Sequence, residues 1–117
     1  MHNYQQLKVW QKAMDIVVQC YLITTHFPSD EKYGLSNQIK RSAVSIPSNI
    51  AEGAGRNSDN ELKHFLGIAN GSSNELSTQL ILSHKLNLVQ EATVKPLLDA
   101  LAEVQKMNYK LIKKYTK

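Results

Sequence analysis

Apolar residues recur along most of this chain at intervals of three and four, the spacing of one face of an α-helix, and no stretch alternates as a strand would. Three breaks cut the pattern into four pieces. The first helix is predicted over about 4–25 and stops before His26-Phe27-Pro28-Ser29, because proline disfavours helical geometry in the residue preceding it. The second spans about 34–54 and closes at Gly53-Ala54-Gly55, where glycine can take the left-handed capping conformation. The third has the clearest start. Ser58-Asp59-Asn60-Glu61 forms a capping box, with Ser58 accepting a backbone N–H and Glu61 reaching back. This helix continues to about 88, and the fourth runs from about 91 to 114, with Pro96 tolerable only near its first turns. Four helices with short connections predict one all-α domain over residues 1–117, an antiparallel up-down-up-down four-helix bundle.

Two departures from ideal helix stand out. Pro47 removes one hydrogen bond inside the second helix and should bend it. Gly67 and Gly71 each cost about 1 kcal/mol relative to alanine, and such positions often mark a close helix approach.

The first helix carries two apolar stripes. Leu7, Trp10, Met14, Val17 and Tyr21 form one, while Val9, Ala13, Ile16, Cys20 and Ile23 form another roughly 100° away. A helix of a four-helix monomer has one face to bury, so the second stripe is expected to be an oligomer face. Cover by a long loop or by a bent second helix is the alternative. The fourth helix is simpler, with Leu97, Leu101, Val104, Leu111 and Tyr115 inward, Asn108 as a polar core position, and lysines opposite.

Beside the apolar line of the second helix (Leu35, Ile39, Ala43, Ile46, Ile50) lies a polar stripe, Gln38, Arg41, Ser45, Asn49 and Glu52. The third helix matches it with Ser72, Glu75 and Gln79 beside Leu62, Phe65, Ala69, Leu76 and Leu80. Antiparallel pairing about the turn near Arg56 sets Ser45 near Ser72, Gln38 near Gln79 and Arg41 near Glu75. A polar seam centred on an Arg41–Glu75 ion pair is therefore predicted. If buried, losing one partner costs about 3–5 kcal/mol. If both stripes face solvent, the loss is under about 1 kcal/mol.

Composition narrows the class. At 117 residues and 42% hydrophobic content, the chain suits one globular core. Its apolar runs are too short to span a bilayer, its first ten residues show no signal-peptide pattern, and a lone Cys20 forms no intrachain framework; a cytoplasmic protein is expected. A net charge of +4 permits an anionic partner without demanding one.

Candidate chemistry is sparse. Glu61-Leu62-Lys63-His64 has the Glu-x-x-His spacing of di-metal bundles, but it stands alone, and His2, His26 and His84 have no ligand-spaced neighbour. Gly53 to Ser58 lacks the spacing of a phosphate loop. Cys20 on an apolar face suits a buried thiol. No metal, cofactor or catalytic residue is expected. The strongest candidate site is the end of the fourth helix, where Val104 to Lys117 holds five lysines and no acid. Lysines there also complement the helix dipole. As a functional site, Lys106, Lys110, Lys113, Lys114 and Lys117 would contact phosphates, joined by Arg56 or Lys63. No aromatic platform accompanies them, so base-specific reading is not implied.

Three segments carry a family resemblance: L-K-V-W-Q-K-A-M at 7–14, Y-G-L-S-N-Q-I-K-R-S-A-V-S-I-P-S-N-I-A-E-G at 33–53, and F-L-G-I-A-N-G-S-S-N-E-L at 65–76. Over nearly its whole length the chain resembles the bacterial four-helix bundle family of 23S-rRNA intervening-sequence proteins. The resemblance implies a homopentamer. It extends to the accessory variability proteins of diversity-generating retroelements, which bind nucleic acid and a reverse transcriptase. The matching Gln38, Arg41, Ser45, Pro47, Asn49, Glu52, Ser72 and Glu75 look structural, and no catalytic role comes with them. The expected function is thus a non-enzymatic homo-oligomer binding RNA or DNA through a basic surface. The alternative is a protein-interaction scaffold or accessory subunit that binds no nucleic acid.

Overall fold

The computed structural model describes residues 3–31 and 34–115. A 3-10 turn, Tyr4–Gln6, precedes α1, Lys8–Thr24; a second, Ser29–Glu31, precedes α2, Leu35–Ala54. Then come α3, Asp59–Lys85, and α4, Glu91–Tyr115. The expected four-helix bundle is what the chain forms. Each helix packs on its two ring neighbours, α2 on α1 and α3, α4 on α3 and α1, in a body 45 × 23 × 20 Å.

Local signals explain the boundaries. Leu7 is extended (φ −72°, ψ 123°), so the predicted first helix splits into a short turn and α1. Phe27 lies outside α1, as the following proline requires, and its ring is buried in the core. Ser58 Oγ accepts the Glu61 N–H at 3.2 Å, as a capping residue should. Glu61 does not close the box through the backbone. Its carboxylate accepts from the Ser58 hydroxyl at 3.1 Å and faces Arg56. Just past α3, Asn87 turns left-handed at φ 61°, with the Leu88 N–H returning to the Ser83 carbonyl at 2.9 Å.

Glycine plays other parts than the sequence suggested. α2 closes at Gly55 with φ −83°, so no left-handed glycine is used. Gly53 matters for space instead: a Cβ there would stand 3.0 Å from Phe65 Cβ, where α2 meets α3. Gly67 and Gly71 mark no close approach, since nothing lies within 4 Å of a Cβ at either. α2 runs without interruption through Pro47, which is buried.

The largest correction concerns α1. Val9, Ala13, Ile16, Cys20 and Ile23, expected to be an oligomer face, are its core residues, with Ala13 and Cys20 fully buried. The other stripe faces out: Leu7, Trp10 and Val17 are half-buried, while Met14 and Tyr21 are exposed. Small and β-branched side chains let α2 and α4 approach closely, whereas the bulkier Trp10 and Tyr21 lie on the outer side, half-buried and exposed. Periodicity counts two stripes without saying which one turns inward.

Candidate functional site

Antiparallel packing brings the N-terminus of α1, the C-terminus of α2, the N-terminus of α3 and the C-terminus of α4 to one end of the bundle. Lys106, Lys110, Lys113 and Lys114 are all exposed along the last turns of α4. The register fixed by the Asn108–Asn70 hydrogen bond of 2.8 Å puts Lys63, also exposed, level with the end of α4. Between α1 and α4 here is a groove of about 410 Å³, floored by Leu7, Val9, Met107 and Leu111 and rimmed by Lys8, Lys110, Lys114 and Glu103. Lys117 lies outside the described residues. Arg56 stands at the same end, in the corner between α2 and α3. Its guanidinium pairs with Glu52, faces Glu61 at 3.5 Å and stacks 4.9 Å from the Phe65 ring. Glu52, one turn earlier, and Glu61, across the α2–α3 corner, each engage one of its terminal nitrogens.

The polar seam forms between α2 and α3 where antiparallel pairing put it. Gln38, Arg41, Ser42, Ser45, Ser72, Glu75 and Gln79 line a groove of about 370 Å³. The Ser45 and Ser72 hydroxyls meet at 2.8 Å, and Asn49 Nδ2 donates to the Ser45 carbonyl at 2.8 Å and its hydroxyl at 3.0 Å. The predicted ion pair is not made. Arg41 and Glu75 are both exposed, and neither takes part in a salt bridge among the described residues. In water, the attraction gained by closing such a pair roughly balances the entropy lost by two long side chains. Arg41→Ala is therefore expected to change unfolding stability by less than about 0.5 kcal/mol, as surface substitutions do. A urea melt checks this, and a loss of several kcal/mol would place the arginine in a buried network.

Other candidate groups lie apart. Burial pushes the Cys20 thiol up to about 12, so it stays protonated at neutral pH, when a nucleophile must be thiolate. His64 stands edge-on to Phe65, with ring centroids 5.1 Å apart, and His84 meets the Val89 carbonyl at 3.3 Å. Among the described residues no three of His, Cys, Asp and Glu gather as a metal site, and no helix is long and apolar enough to cross a membrane. His2 lies outside the described residues.

The profile of the 23S rRNA-intervening sequence proteins matches residues 5–110, nearly the whole bundle including seam and basic end. The chain belongs to the 23S rRNA-intervening sequence protein family. A solved structure is similar: a protein of unknown function from the S23 ribosomal protein family of Bacteroides thetaiotaomicron. Its TM-score is 0.82 at 24% identity, covering 90% of this chain and 95% of that one, a likeness that speaks to the fold. No curated protein matches.

Two features of the chain are not evident from its sequence. One is an apolar groove of about 340 Å³ on the outer side of α1 and α2, lined by Tyr4, Trp10, Met14, Val17, Val44 and Pro47 among others. Tyr4 and Trp10 meet edge to face, 5.3 Å apart. Val18 and Leu22, each 55% exposed, add further bare apolar surface on α1. The signal was present in the double stripe but was assigned to the wrong side. The other is an amide network between α3 and α4, in which Gln105 Nε2 donates to Asn74 Oδ1 at 2.7 Å and Asn108 Nδ2 to Asn70 Oδ1 at 2.8 Å. Asn108 was singled out by its place in the α4 stripe. Its partners fall outside the apolar stripe of α3, so periodicity did not reveal them.

Proposed function

We propose that this protein is a non-enzymatic homo-oligomer that binds RNA or DNA through backbone phosphates at the lysine-rich end of the bundle. The observation that carries the reading is the convergence of Lys110, Lys113, Lys114, Lys63 and Lys8 at that end, continued back along α4 by Lys106, with no acid on α4 after Glu103. Self-association through the outer side of α1 and α2 supports it, because each copy repeats the cluster and multiplies a modest charge. Trp10, Met14, Val17 and Tyr21 supply an apolar face of the kind monomers seldom expose. The family name and the neighbour's ribosomal family name both point toward RNA as the polyanion.

Binding through about four phosphates per chain should weaken on the order of 10²-fold between roughly 50 and 200 mM salt. Gel-shift titrations of a structured RNA and a DNA duplex across that range check this, with Lys110→Ala/Lys114→Ala lowering the salt slope. If neither nucleic acid binds even at low salt, the scaffold reading replaces this one. That second reading is favoured by the apolar groove at Tyr4, Trp10 and Pro47, which would dock a protein such as a reverse transcriptase. Light scattering coupled to size exclusion tests the oligomer, for which five copies are expected.

A further inference from the structure

The α2–α3 seam lies along the middle of the bundle, away from the lysine-rich end, and its polar groups are not exhausted by folding. Asn49 Nδ2 donates to Ser45 Oγ, and the Ser45 and Ser72 hydroxyls share one hydrogen bond in which either oxygen can donate. One of the two hydroxyl protons is therefore left for another acceptor. Gln79 Oε1 is buried and has no donor. Arg41 lines the groove from α2 and Glu75 from α3, each without an opposite charge in salt-bridge reach. Glu75 and Gln79 sit one helical turn apart on the same side of α3, the spacing at which two side chains can share one ligand group.

We infer that this seam binds a small zwitterion of the α-amino acid class. Its carboxylate is taken by the Arg41 fork and the spare proton of the Ser45–Ser72 pair, and its ammonium by Glu75, with Gln79 Oε1 brought to it by a turn of the half-buried Gln79 side chain. A guanidinium matches a carboxylate with two parallel N–H donors, and an ammonium has three protons for the two acceptors. The groove of about 370 Å³ has room for such a molecule. No aromatic ring lines it, so it offers a nucleobase no stacking plane, and its mixed charge suits neither a simple anion nor an apolar ligand.

The test is calorimetric titration of the full chain with each standard free α-amino acid, its N-acetyl form and its amide. The expected result is that at least one free amino acid binds while both blocked forms do not, since each lacks one of the two charges. Arg41→Ala and Glu75→Gln, both at exposed positions, should fold normally and each weaken that binding at least about tenfold. Lys95→Ala, whose side chain pairs with Asp99 and does not line the seam, should leave it unchanged. The proposal is overturned if no free amino acid binds, or if a blocked form binds as well as the free one. It also falls if both seam variants bind like the parent, or if Arg41→Ala alters the mass in light scattering, which would mean that a second copy occupies the groove.

Discussion

Leu76→Ala is expected to lower the unfolding free energy by about 3–5 kcal/mol, a large share of the total stability of a domain this size. Leu76 lies near the middle of α3 with none of its surface exposed, in the same core as Ile39, Ala43, Ile46 and Leu80. Truncation removes apolar contacts there and leaves a cavity that four packed helices close only in part. Leu82 on the same helix is 44% exposed, and Leu82→Ala should cost less than about 1 kcal/mol. Urea unfolding of the two variants side by side checks the inward face of α3. Equal losses would mean that α3 is rotated from the orientation described.

Asn108→Asp is expected to cost about 3–4 kcal/mol at pH 8 and much less near pH 4. Asn108 is fully buried, donates to Asn70 Oδ1, and has no donor for its own Oδ1. A carboxylate placed there meets the Asn70 oxygen and no cation, so desolvation raises its folded pKa above the unfolded value. The sign follows from that rise. Below the unfolded pKa the acid is neutral in both states and can still donate to Asn70. The penalty grows as pH climbs from there through the folded pKa, and then levels off. Urea melts of parent and variant at several pH values measure the difference, and a difference independent of pH would show that this site is hydrated. Asn108→Leu, which adds no titrating group, serves as the control.

The fold was legible because its signals are local and agree with one another. Ser58 announces the start of α3, and the helical spacing marks the four elements. One short turn between α2 and α3 fixes their register closely enough to bring Ser45 to Ser72. The inward side of α1 was not legible. Val9, Ile16 and Ile23 and Trp10, Met14 and Val17 both form apolar lines at helical spacing, and the choice between them rests on how closely α2 and α4 can approach. The seam was found by register, yet its central ion pair was not made, since an exposed arginine and glutamate gain little by closing. Charge alone places Arg56 among the candidate phosphate contacts. Its engagement with Glu52 and Glu61 follows from the turn geometry at the α2–α3 corner, which a charge count does not register. The lysines of α4 stand out in the sequence and lie exposed as a charged helix face should.

The open space over Gly67 and Gly71 bears on how the molecule breathes. Two glycines on the outer side of α3 forgo about 2 kcal/mol of helix propensity relative to alanine, with no contact of their own in return. The longest helix is thus held mainly by its inner face, and its solvent-side amides can open while the core stays shut. Amide hydrogens around these glycines should exchange faster than those of the inner face, and alanines at both positions should slow them.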